Sequence, residues 1–373
     1  MTAEDILRTV VAIPTPSAMS NVPLLEWVRE FVEAHRWRAT LLPYTDEHGV
    51  AKANLIARPK CASDGDAIDL AFVCHTDTVP YAATWAGALE LRERDGMLHG
   101  CGACDVKGAL ACFLGALDAG GADEIDAGVA MILTADEEIG CKGMERLLAA
   151  GFPRIGAAIV SEPTSLRVGV AGKGYGLARV TVDGVEAHSA FPSEGASAIA
   201  IASRMIDQLY GRRFQESGGI DTLFDPPRTT VNVGTIDGGS AKNIIAGRCS
   251  FLVEWRPIPG DPPERMLGEI ERLALDTQAL HHRARVTVEP LRAEAGFAPV
   301  KAGQLREKLA ELAGSEVTGI SFGSEASRVA RIADEVIVMG PGDMHTAHSE
   351  RECVPVRELE EWTAILSKLM RAC

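Results

Sequence analysis

No stretch of the chain approaches the ~18–20 consecutive apolar residues that a membrane helix requires, although 46% of its residues are hydrophobic. The opening MTAEDILRTVV lacks a basic segment and a small-residue cleavage site, so no secretory signal is expected. Positive charge is also short: 37 Lys and Arg stand against 52 Asp and Glu, a net charge of −15. That balance argues against nucleic acid or an anionic membrane as the main partner. The nine cysteines are an odd, scattered set. They fit reduced thiols rather than a disulfide framework, and a cytoplasmic protein is expected. Repeats and low-complexity tracts are missing. A nucleotide loop is excluded as well: at GKGYG, Arg167 stands where a P-loop needs its first glycine and Gly174 where it needs Ser or Thr. Cys101 and Cys104 frame CGAC, but no second cysteine pair stands at zinc-site spacing. They are read as packing residues whose oxidation would inhibit a site at Asp105.

What is present begins with size. A chain of 373 residues exceeds one ordinary core and predicts two domains. Thr2 and Asp5 form a variant capping box ahead of Ile6, Leu7, Val10 and Val11, which predicts a first helix. A second is expected over 23–35. Short, uniformly apolar runs at 70–74, 129–133, 157–160 and 335–339 suit strands buried on both faces. Helical stretches between them, at 109–118 and 144–150, indicate an α/β fold with a mostly parallel sheet covered by helices. The middle of the chain differs. Residues 176–183 alternate apolar and polar, and the order from there is strand, helix, strand, strand, helix, strand. That is the split βαβ order of a smaller α+β, ferredoxin-like domain. The domains are therefore expected at 1–171 with 293–373, and at 172–292 as an insertion.

Polar, metal-capable side chains follow each buried run. His75 and Asp77 come after the first, Glu137 and Glu138 after the second, Glu162 after the third, and His345 and His348 after the fourth. In an open α/β sheet those strand ends line one crevice. Asp105 stands at the expected start of the helix near Ala109. Imidazoles and carboxylates can hold two metal ions that share a carboxylate. Taken singly, each has a plainer reading: Asp105 as a helix cap, Glu137 and Glu138 as a helix start complementing the macrodipole. The residues alone leave both readings open.

Longer strings add to this. HTDTVP at His75, GACDVKG around Asp105, TADEE ending at Glu138, SEPTSL at Glu162 and GPGDMHTAHSE containing His348 occur in this order. Between them stand VDGVEAHSAFPSEGASAI, NVGTIDGGSAKNIIAG and RPIPG. The chain resembles the M20 family of dinuclear metallohydrolases, and within it the group of acetylornithine deacetylases and succinyl-diaminopimelate desuccinylases, closest to the former. The resemblance implies two Zn2+ ions, with Co2+ or Mn2+ also serviceable. It implies His75 and Glu162 on one ion, Glu138 and His348 on the other, and Asp105 between them. Asp77 would orient the His75 imidazole and Glu137 would be the general base. In the inserted lid and dimerisation domain, His188 would stabilise the oxyanion across a homodimer. Arg256 would hold the substrate carboxylate, with Asn243 beside it, and Glu325 of the tripeptide at 324–326 would meet a cationic substrate end. His345 and Lys107 receive no role. The implied substrate is a small N-acylated amino acid, first acetylornithine, in arginine biosynthesis. Acetylcitrulline, succinyl-diaminopimelate and the substrates of other aminoacylases, carboxypeptidases and dipeptidases stay open, as does a non-catalytic binding protein on the same scaffold.

Overall fold

A computed structural model describes residues 1–63, 65–120, 125–211, 218–300 and 303–371. The chain divides into two compact units: Met1–Val170 with Pro299–Thr318 and Ser324–Cys373, and Ala171–Ala298 with Gly319–Gly323. The first is built on an eight-stranded sheet. Its centre is four adjacent parallel strands, Val129–Thr134, Ile68–His75, Ile155–Val160 and Ala333–Val338. These are the four apolar runs, and nearly every residue in them is buried, as strands covered on both faces require.

The strands next to this core, Ala51–Pro59 and Val168–Gly172, pair with it antiparallel. A hairpin of Trp37–Thr45 and Ala51–Pro59 adds to the Val129–Thr134 side. The apolar pattern did not reveal it, because Lys52 and Arg58 interrupt one strand and Pro43 the other. Its turn is set by Asp46, whose Oδ1 accepts the His48 and Val50 amides at 2.8 Å each, and by Gly49 at φ +80°.

The helix Ala3–Val11 carries the expected capping box between Thr2 and Asp5. It packs with Val356–Met370 against the helix Lys107–Gly120, which is buried almost all round. This central helix begins at Lys107, two residues before the expected start, and Phe113 stacks on Phe72 of the sheet at 4.5 Å. Gly108 lets the helix start close against its own preceding loop: a Cβ there would stand 2.4 Å from the Ala103 carbonyl. Among the described residues no helix is long and apolar enough to cross a membrane.

The second unit holds a four-stranded antiparallel sheet in the order Thr230–Gly238, Arg248–Arg256, Tyr175–Asp183, Arg285–Glu294. Helices Ala198–Leu209 and Pro263–Leu280 join these strands in the split βαβ order. Ala178, Val180 and Val182, the apolar half of the alternating strand, pack with Phe251, Val253, Trp255, Met205 and Ile270.

One small residue controls the turn that follows Val129–Thr134. Gly143 opens the helix Lys142–Ala149, donates to the Ala135 carbonyl at 3.0 Å and accepts from Asn54 Nδ2 at 2.9 Å. A Cβ there would meet that carbonyl at 2.3 Å and Asn54 Oδ1 at 2.6 Å. Gly143→Ala is therefore expected to cost about 1–3 kcal/mol through overpacking, read from the shift of the urea midpoint.

Candidate metal centre

The parallel core brings the ends of four strands to one rim. His75 is the last residue of its strand and pairs in register with Thr134, so the turn Asp136–Glu138 emerges beside it. Glu162 lies two residues past Ile155–Val160. His348 comes from the loop after Ala333–Val338. Asp105 stands just before the buried helix, and its loop is held by a residue that sequence reasoning missed. Glu352 Oε1 accepts the amides of Cys104 and Asp105, both at 3.0 Å. Only its position four residues after His348 hinted at this.

These groups converge. His75 Nε2 lies 3.1 Å from Asp105 Oδ1, and His348 Nε2 lies 3.0 Å from Asp105 Oδ2 and 3.2 Å from Glu138 Oε1. Two sets, His75–Asp105–Glu162 and Asp105–Glu138–His348, each place one ligand atom per residue within 4.8 Å of the others. Asp105 belongs to both and turns one oxygen toward each histidine.

Charge is concentrated here at a buried place. Burial pushes Glu162 well above the ordinary carboxylate range, and Asp105 adds to the effect. Burial likewise pushes Glu137 up to about 8, with His75 opposing and Glu138, Glu325 and Asp77 reinforcing. Asp105 is itself desolvated, but the two imidazoles hold it below its usual range. Hydrogen bonds to Asp105 and Glu138 raise His348 to about 10. Carboxylates packed this closely in low dielectric call for compensating cations. An imidazole and carboxylate donor set with one shared carboxylate suits a pair of divalent ions, so the residues fit the group.

Asp77 meets both His75 and the turn beyond Thr134. Its main-chain carbonyl, not its carboxylate, takes the hydrogen bond from His75 Nδ1, at 2.9 Å against 3.8 Å for Oδ1. The carboxylate accepts the Glu137 amide at 3.0 Å, the Glu138 amide at 3.3 Å and the Ser17 hydroxyl at 2.7 Å. It thereby fixes the backbone of both glutamates. Asp136, at φ +58°, anchors the same turn from beneath. Its Oδ2 accepts from Tyr44 at 2.9 Å, and its Oδ1 lies 2.9 Å from the fully buried Lys52 ammonium. That ammonium also donates to the carbonyls of Ser17 and Met19.

The remaining expected residues are placed as follows. Glu325 is only 1% exposed and both its oxygens accept from Thr134 Oγ1, at 3.1 and 2.9 Å. It thus stands at the end of Val129–Thr134, close to His75 and Asp77. Cys101 and Cys104 are buried. Burial raises Cys101 to about 11 and Cys104 well above its ordinary value, which favours the protonated, less nucleophilic thiol in both. His345 is exposed and bonded to Asp343. In the second unit, the Ser189 amide donates to the Asn243 carbonyl at 3.0 Å, so the segments bearing His188 and Asn243 lie together. His188 Nδ1 accepts from the Ala190 amide at 3.1 Å. Arg256 stands apart from them, paired with Glu254 at 2.9 Å and stacked 4.3 Å over the Tyr175 ring.

The family model for peptidase family M20/M25/M40 matches residues 71–372. The chain belongs to this family. Within it, the chain is 42% identical over 367 residues to an acetylornithine deacetylase of Myxococcus xanthus, covering 97% of this chain and 95% of that one. It is 27% identical over 376 residues to an acetylornithine deacetylase of Photorhabdus laumondii, covering 98% and 96%. A tripeptidase of Staphylococcus aureus shares the fold, with a TM-score of 0.78 at 21% identity over 99% of this chain and 97% of that one. This M20 protein is thus a metal-dependent amide hydrolase.

The Lys52–Asp136 pair yields a stability prediction. Lys52→Met leaves the buried Asp136 charge uncompensated and is expected to cost about 3–5 kcal/mol in denaturant unfolding. Adding Asp136→Asn should recover part of that loss in a double-mutant cycle.

Proposed function

We propose that the chain hydrolyses Nα-acetylornithine to ornithine and acetate at two zinc ions, as a step of arginine biosynthesis in the cytoplasm. The observation that carries the reading is Asp105, whose two oxygens face the two histidines at 3.1 and 3.0 Å. In this reading His75 and Glu162 hold one ion, Glu138 and His348 the other, and Asp105 joins both. Bound there, the ions supply Lewis acidity and a water acidic enough to ionise near neutral pH. Similarity to two acetylornithine deacetylases supports the substrate, and the odd, scattered cysteine set supports a reducing compartment.

The protein's own part starts with Glu137. Its carboxylate receives the proton of the attacking water and returns it to the leaving amine of ornithine. The Cys141 thiol donates to Glu137 Oε1 at 3.3 Å, and Asp77 pins the Glu137 amide, so the base is held from two sides. Arg256 is assigned the substrate carboxylate and Asn243 a polar contact with the substrate. His188 of a second copy is assigned the oxyanion that develops on the amide carbonyl. The motifs carry these three roles.

Glu137→Gln is expected to keep the metal content and lower kcat about 10²- to 10⁴-fold; near-normal turnover contradicts the assigned base. His348→Ala should lose metal by elemental analysis, and two full equivalents would contradict its role as a ligand. Turnover of acetylornithine is expected to exceed that of acetylcitrulline, acetylmethionine and succinyl-diaminopimelate.

A further inference from the structure

A cavity of about 200 Å³ opens beside His348, entirely within the first unit. One wall is the loop after His75, contributing Val79, Tyr81 and Trp85; the other is the segment after His348, contributing Glu350 and Glu352. None of the residues lining it is Lys or Arg. His348 is charged only when protonated, and its Nε2 is turned to Asp105 and Glu138. The lining therefore combines an apolar and aromatic wall with carboxylates. Glu352 is buried and engaged to backbone amides, so it serves the floor. Glu350 is exposed at the mouth, where the Thr84 hydroxyl donates to its Oε1 at 3.0 Å and ties the two walls together.

We propose that this cavity receives the substrate's amino-acid side chain and that Glu350 selects a side chain with an aliphatic stem and a cationic end. The inference rests on the acetylornithine reading and assigns it a determinant. The volume would hold about six waters at roughly 30 Å³ each, more than the three methylenes and ammonium of ornithine need. Stem carbons meet Val79 and the faces of Tyr81 and Trp85, where a terminal ammonium also gains from the aromatic quadrupole. A ligand carboxylate would meet Glu350 with no Lys or Arg in the lining to offset it, so acidic side chains are disfavoured at the mouth.

The test compares Nα-acetylornithine with Nα-acetylnorleucine, a neutral substrate of the same chain length, on the metal-loaded enzyme. Glu350→Gln is expected to lower kcat/KM for acetylornithine about three- to fivefold, the scale of an exposed charge pair, chiefly through KM. Acetylnorleucine should change less than twofold. Glu350→Lys should remove the remaining preference. A wild-type enzyme that does not favour acetylornithine would overturn the substrate reading itself. A wild type that favours it, with a preference surviving both substitutions, would overturn the pocket alone.

Discussion

The site depends on one carboxylate being shared. Asp105 is 5% exposed and has an imidazole within 3.1 Å of each oxygen, with Glu162 completing one set and Glu138 the other. Neither set is complete without it. A buried carboxylate placed so must be fixed in position and orientation, because a small rotation would serve one side at the expense of the other. The buried helix Lys107–Gly120 and the clamp of Glu352 on the Asp105 amide supply that constraint. Segment 348–352 delivers both the second histidine and the clamp, so two parts of the centre are coupled through five residues.

The same device recurs around the rim. Asp77 uses its carboxylate on the amides of Glu137 and Glu138. Asp136 uses its own on Tyr44 and the buried Lys52. Asp77 and Glu352 thus direct their carboxylates to backbone amides of the rim, while Asp136 directs its own to a hydroxyl and a buried ammonium. This explains why so many carboxylates are tolerated at one place: several are already satisfied by amides, hydroxyls or an ammonium before any cation is considered.

Much of this was legible in the sequence. The four apolar runs are the four parallel strands, and the residues just beyond them, His75, Glu138, Glu162 and His348, do meet around Asp105. The split βαβ order of the second unit was also readable, because its alternation has a clear period of two. Signals failed where a side chain acts on backbone rather than on substrate. Nothing in AKANLIA marks Lys52 as buried beneath the turn Asp136–Glu138, and nothing in HSERE marks Glu352 as the partner of an amide nearly 250 positions earlier. The contact of Glu325 with Thr134 was hidden in the same way, since the tripeptide at 324–326 does not show which strand end it meets. The hairpin of Trp37–Thr45 and Ala51–Pro59 was hidden because Lys52 and Arg58 break the apolar run of its buried strand, and the outer strand, at the sheet edge, is only partly covered.

The most direct test of the central claim is anomalous diffraction at the zinc edge from crystals of the zinc-loaded protein. Two peaks are predicted, one between His75 and Glu162 and one between Glu138 and His348, each with an Asp105 oxygen in its coordination sphere. A single peak, or a pair that does not share Asp105, would contradict the account.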